Sequence, residues 1–163
     1  MNARLDDVAA IEQQMFRYAR ATDWLETERH RDVFVTDCVF ASPHSGTDYR
    51  EEFFAATKLD LAVLRRSEDG FVDELFAAAP LHGAPLIRAL FPRVFIDPNR
   101  EPYELDPRMF DGRLPSFANT RSMRVAGGLG TVARVVGDAQ EIYDQRISVD
   151  DALQRIETLY KPY

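Results

Sequence analysis

The chain has 163 residues, 45% of them apolar and 29% charged, and a net charge of −7 at pH 7. That is the size and composition of one ordinary globular domain, which excludes a disordered tail, a collagen-like repeat and a disulfide-stapled miniprotein. No apolar run approaches the ~20 residues that span a bilayer, Met1 to Asp7 carry no secretory pattern, and the single cysteine, Cys38, excludes an internal disulfide or a Cys-rich zinc site. A cytoplasmic location without membrane contact is the expectation, and the acidic balance argues against nucleic acid.

Leu5, Val8, Ile11, Met15, Tyr18, Thr22 and Leu25 recur at spacings of three and four, the stripe of an amphipathic packing helix. Residues 33–41 are β-branched and aromatic and predict a buried strand ending at Ser42-Pro43-His44-Ser45-Gly46. Helices are expected over 50–57 and 59–66. A third, capped by Ser67 or Asp69, runs through Phe71, Val72, Leu75, Phe76 and Ala79. Ala84 to Leu90 reads as a second strand and Val94 to Asp97 as a third, or as the continuation of the second past Pro92. Four prolines in residues 98–115 predict a non-regular loop, which the aromatics Tyr103, Phe110 and Phe117 anchor in an ordered state. Ser148 with Asp151 opens a last helix striped by Val149, Leu153, Ile156 and Tyr160. The order predicts an α/β fold, a mostly parallel sheet with flanking helices.

Residues 88–134 hold eight arginines against five acids and no lysine. The planar arginine fork suits carboxylate or phosphate, so a small anionic ligand is one reading, and pairing with the acidic remainder of the chain is the other. Within this segment Arg93, Asp97, Asn99 and Arg100 surround a short apolar stretch. The two arginines and the amide could grip a carboxylate, or the arginines could form structural pairs with Asp97 or Glu101. Gly127-Gly128-Leu129-Gly130 matches neither phosphate-binding glycine motif and reads as a tight turn.

Of three histidines, His30 lies among charged residues and His82 precedes Gly83 at a helix end. His44 instead follows a strand, where active sites of open α/β sheets lie; a hydrogen-bonded turn residue is the alternative. Asp69 and Asp73 are four apart, hence on one face if both are helical. Near a histidine they could hold a metal, although spacing alone favours a helix cap and a first-turn acid.

Pro43-His44-Ser45-Gly46, Glu68-Asp69 with Val72-Asp73-Glu74-Leu75-Phe76, and Pro92-Arg93 with Asp97-x-Asn99-Arg100 together resemble the N-formylglutamate amidohydrolase family. The likeness runs on through Glu101 to Leu105, Asn119-Thr120-Arg121, Val125 to Thr131 and Glu141-Ile142-Tyr143. It covers roughly residues 38–163. It divides the chain into an N-terminal helix, 1–32, outside the family pattern, and a partial amidohydrolase catalytic domain, 33–163. The resemblance implies a fold like that of the zinc carboxypeptidases with its C-terminal part missing, zinc or another divalent metal on His44 and Asp69 with Asp73 second, and an N-acyl glutamate held by Arg93, Asn99 and Arg100. Asp97 would orient Asn99 or Arg100. The implied reaction is hydrolysis of N-formyl-L-glutamate to formate and glutamate, a step of histidine degradation. A further zinc histidine and a general base are expected beyond Tyr163, so this chain alone offers two ligands where a zinc hydrolase needs three and a base.

The alternative is a non-catalytic domain that binds small carboxylates or a protein partner, with the metal not retained. A two- or three-stranded parallel sheet cannot cover both faces. Val33, Val35, Phe40, Leu86, Ile87 and Ile96 are therefore expected to be more exposed than their types allow, and self-association through an open sheet edge is expected.

Overall fold

The computed structural model describes residues 10, 13–17, 20 and 37–163. The chain divides into two compact units, Met1–Cys38 and Val39–Tyr163. Most of the N-terminal helix expected over 5–25, His30, and residues 33–36 of the first strand lie outside the described residues. Residues 13–17 are helical and exposed.

The second unit is a mixed α/β structure with small parallel sheets. Strand β1, Phe40–Ser42, leads into helix α1, Glu51–Ala56, and helix α2, Leu61–Leu64, which the Asp60 side chain caps by accepting from Val63 N–H. A 3₁₀ turn, Arg65–Ser67, precedes helix α3, Val72–Leu75, and a second 3₁₀ turn, Ala79–His82, precedes strand β2, Leu86–Arg88. β2 lies parallel to β1 with Phe40 opposite Leu86 and Ser42 opposite Arg88. The strand–helix–strand crossover read from the sequence is therefore present.

The proline-rich stretch is ordered, as its aromatics predict, but it is not wholly irregular. Pro107–Met109 forms a 3₁₀ turn whose Asp106 side chain accepts from Arg108 N–H. Strand β3, Phe110–Asp111, follows and pairs in parallel with strand β6, Ile147–Ser148. Helix α4, Met123–Ala126, and an antiparallel hairpin of β4, Val135–Val136, with β5, Gln140–Glu141, lie between them. Ser148 caps helix α5, Val149–Arg155, by accepting from Asp150 N–H, and the helix continues as one π-type turn, Ile156–Tyr160.

Three expectations are overturned. The buried strand expected over 33–41 is, among the described residues, only Phe40–Ser42, with Val39 and Ala41 exposed. Val94 to Asp97 is not a strand: Phe95 and Ile96 N–H both bond Pro92 O in a turn, and Val94, Phe95 and Ile96 are fully buried. A short, wholly apolar run has no period that separates strand from buried turn. The helix after Asp69 is one turn long rather than two, because Phe71 takes a left-handed φ of 65° at its start and Phe76 ends it.

The core joins Phe53, Leu64, Ile96, Leu105, Phe110, Val132, Ile142 and Ile156. Buried Arg155 lies 3.9 Å from the centre of the Phe95 ring and donates to Tyr143 Oη at 2.8 Å. Of the residues expected to be uncovered, Ile87 is exposed, Phe40 and Leu86 are half-buried, and Ile96 is buried. Val33 and Val35 lie outside the described residues. Phe71, Leu75 and Leu81 add to an exposed apolar stretch along α3 and the turn after it.

Candidate active site

The site is assembled where β1 ends. Gly46 lets the chain turn there, since a Cβ at that position would lie 2.2 Å from Phe91 O. Ser42 and Ser45 hydroxyls bond each other at 2.6 Å beneath the turn. Both leave His44 buried with its ring fixed on each side. Its backbone oxygen accepts from Asp69 N–H at 3.0 Å. That bond brings the Asp69 side chain to the ring, with Oδ2 3.2 Å from Nδ1. On the other side, His44 Nε2 lies 2.8 Å from Asp97 Oδ1.

Asp97 is the hub. Its Oδ1 also accepts from Asn99 N–H at 2.9 Å, and its Oδ2 accepts from Arg93 Nη2 at 2.8 Å and lies 3.4 Å from Arg100 Nη2. Burial alone would raise this carboxyl. The bond to His44 and the charges of Arg93 and Arg100 outweigh it and hold the pKa at about 2. The hub is set in place from behind by Thr131 O, which accepts from Asp97 N–H at 2.7 Å.

Arg100 is fixed by the glycine-rich turn and by the last helix. Its Nε donates to Leu129 O at 3.1 Å and its Nη1 to Asn99 O at 2.8 Å, while its own carbonyl accepts from Tyr160 Oη at 2.5 Å. Burial and the nearby charges of Asp97, Glu101 and Glu104 push the Tyr160 hydroxyl up, so it stays a donor. An open cavity of about 390 Å³ lies over these groups, lined among others by Arg66, Asp69, Arg93, Asp97, Arg100 and Leu129.

The structure thus brings His44, Asp69, Asp97, Arg93 and Arg100 together. Asn99 joins them through its backbone N–H, and its side chain makes no hydrogen bond among the described residues. Asp73 does not join: its carboxylate pairs with Arg88 Nη1 at 3.0 Å and lines a different cavity. Glu68, beside Asp69, is held by Tyr49 Oη at 2.8 Å and Arg65 Nε at 3.0 Å. His82 is exposed at the end of its 3₁₀ turn. Sequence reasoning missed the bond from His44 to Asp97 and the presence of Arg66, Tyr160 and Leu129. The Arg65-Arg66 pair next to Glu68-Asp69 was the one signal that could have shown Arg66.

A neutral imidazole donates from one nitrogen only. With Nε2–H given to Asp97, Nδ1 turns a lone pair toward the Asp69 carboxylate. Two acceptors 3.2 Å apart are stabilised by a cation between them or by a second ring proton. The separation is close to the ~3.4 Å between neighbouring ligands of a tetrahedral zinc at ordinary Zn–N and Zn–O distances. His44 and Asp69 therefore fit two positions of such a site. Among the described residues no group of three or more His, Cys, Asp and Glu side chains is placed to hold a metal.

A strand-end histidine with a carboxylate on each side, beside an arginine-lined cavity, is the arrangement of a small-molecule site on an α/β fold. Residues 36–163 match the N-formylglutamate amidohydrolase family, and the chain belongs to that family. It is similar to the crystal structure of N-formylglutamate amidohydrolase from Ralstonia eutropha JMP134, with 37% sequence identity and a TM-score of 0.71. The similarity covers 77% of this chain and 44% of that one, so the chain spans less than half the length of that relative. No curated protein matches the chain significantly. No helix among the described residues is long and apolar enough to cross a membrane.

Proposed function

We propose that this chain carries the substrate-gripping part and two metal ligands of an N-formyl-L-glutamate amidohydrolase, which releases formate and glutamate. The observation that supports it best is the His44–Asp69 pair, backed by Asp97 and placed beside the arginines that grip anions. In this reading Asp97 accepts Nε2–H and fixes the imidazole tautomer, so Nδ1 and Asp69 Oδ2 are left as the two ligand atoms. Zinc, when bound, supplies Lewis-acid polarisation of the formyl carbonyl and activation of a water. Arg93, with one nitrogen on Asp97, has further N–H groups for a substrate carboxylate, and Arg100 adds charge from a fixed position.

Among the described residues no third side chain joins His44 and Asp69 as a ligand. The carboxypeptidase-like fold of the whole, a place in histidine degradation and a cytoplasmic location go with the same reading. Zinc titration of the wild type against His44→Ala, Asp69→Asn and His82→Ala tests it, together with formate release from N-formylglutamate by the zinc-loaded protein. The first two variants should lose about a hundredfold or more in zinc affinity and His82→Ala none. Equal affinity in all four proteins would remove His44 and Asp69 as ligands.

A further inference from the structure

Three guanidinium groups line the site cavity, and they are not equivalent. Arg93 gives Nη2 to Asp97, and Arg100 is tied to Leu129 O, Asn99 O and the same aspartate. Both share the one buried carboxylate of Asp97. Arg66 enters from the 3₁₀ turn after α2, and its described partner is Asp138 Oδ2 at 3.2 Å. Asp138 is 80% exposed, on the turn of the β4–β5 hairpin. A pair of that kind contributes little. Gly137 of the same turn rests against the guanidinium, since a Cβ there would lie 3.5 Å from Arg66 Cζ. The guanidinium is thus backed by the hairpin without a buried counter-charge.

The carboxylates of the cavity do not supply that charge. Glu68 is taken by Arg65 and Tyr49, Asp69 faces His44, and Asp97 serves Arg93 and Arg100. Among the described residues, Arg66 is thus a cavity guanidinium paired only with an exposed carboxylate, separate from the two that share Asp97. A ligand with a single carboxylate leaves it unused, whereas a dicarboxylic ligand can reach both groups.

Given the carboxylate-binding role proposed above for Arg93 and Arg100, we infer that Arg66 is a specificity-determining residue of this site. It takes the second carboxylate of a dicarboxylic N-acyl amino acid and exchanges Asp138 for it. The exchange moves no proton and breaks no covalent bond. Asp138 is the resting counter-ion, and in the absence of substrate it competes for the same guanidinium.

Calorimetric titration of the full chain with glutarate and pentanoate tests this, since the two acids share five carbons and differ by one carboxylate. The wild type should prefer glutarate by about tenfold or more, the gain of one charge-assisted contact. Arg66→Gln should abolish the preference with pentanoate affinity kept, and Asp138→Asn should tighten glutarate binding by removing the competitor. A wild-type preference that survives in Arg66→Gln overturns the role of Arg66 alone, and a wild type without preference does the same. A wild type that binds neither acid overturns it together with the reading of Arg93 and Arg100. Asp138→Asn lies on an exposed turn and tests the exchange without altering Arg66, and an unchanged glutarate affinity there counts against it.

Discussion

Asp97 and Asp106 are both buried aspartates with two arginines on one carboxylate, yet they serve different ends. Asp106 accepts from Arg108 Nε, Nη2 and backbone N–H and from Arg134 Nε at 2.8 Å. Arg108 Nη2 also donates to Val125 O and Ala126 O, and Arg134 Nη1 reaches Glu141 at 3.2 Å. The group is a strut between the proline-rich stretch and the β4–β5 hairpin, and its partners are arginines alone. The arginines of both clusters line a cavity, but Asp97 adds a buried strand-end histidine to its partners. An arginine pair on an aspartate therefore carries no functional signal by itself. The signal is the histidine that Asp97 adds, and the second carboxylate, Asp69, on the far side of that ring.

Four substitutions would break or sharpen this contrast. The largest effect is expected at Gly130, which backs the Asp97 cluster. Its missing Cβ would lie 2.2 Å from Glu104 O, and the next residue, Thr131, holds Asp97 N–H and donates to that same oxygen. Gly130→Ala should cost about 3 kcal/mol by denaturant unfolding and loosen the Asp97 cluster.

Asp106→Asn comes next, at about 3 kcal/mol, because a buried ion pair loses one partner. It should leave zinc and carboxylate affinity unchanged. Burial would raise the Asp106 carboxyl, but its bonds to Arg108 and Arg134 lower it below the ordinary value. The sign follows from a depressed folded pKa. Its stabilisation is complete above the unfolded value near 3.9 and is lost as pH falls through the lower folded value. Unfolding curves across that range should be steeper in acid for the wild type than for Asp106→Asn.

Asp97→Asn should differ in its readout, with zinc affinity reduced about ten- to a hundredfold beside a loss of stability at least as large, since its partners are more buried than those of Asp106. Equal effects of the two on zinc would erase the contrast. The smallest effect is expected at Ala139, whose φ of 58° is left-handed in the β4–β5 turn. Ala139→Gly should stabilise by about 1 kcal/mol and alter neither cluster.

Much of the site was legible from residues alone. His44 at a strand end, the arginines bracketing Asp97, and the turn at Gly127 to Gly130 follow from type and position. Asp73 did not, for a definite reason. Its pairing with Asp69 assumed one continuous helix through both, but the left-handed Phe71 starts the helix after Asp69 and breaks the four-residue periodicity. The same break frees Asp69 from the capping role that its position suggests, and its carboxylate goes to His44. The His44–Asp97 bond spans 53 positions of sequence; only tertiary packing creates it, and no local pattern encodes such a contact. The strand read into Val94 to Asp97 failed because burial there is total and composition alone was left to decide.

The hydroxyl of Tyr160 on the carbonyl of Arg100 ties the position of Arg100 to the winding of residues 156–160. Ile156–Tyr160 is wound as a π-type turn, with Lys161 N–H bonding Ile156 O at 2.9 Å, and this winding carries the Tyr160 ring. When that turn opens locally, Arg100 loses one of its anchors and with it a fixed direction. By linkage, a ligand that needs Arg100 held must also resist the opening. Amide exchange near Lys161 would then slow as the cavity fills, so the solvent-exchange rate at one end of the chain reports occupancy of a pocket built at the other side of the sequence.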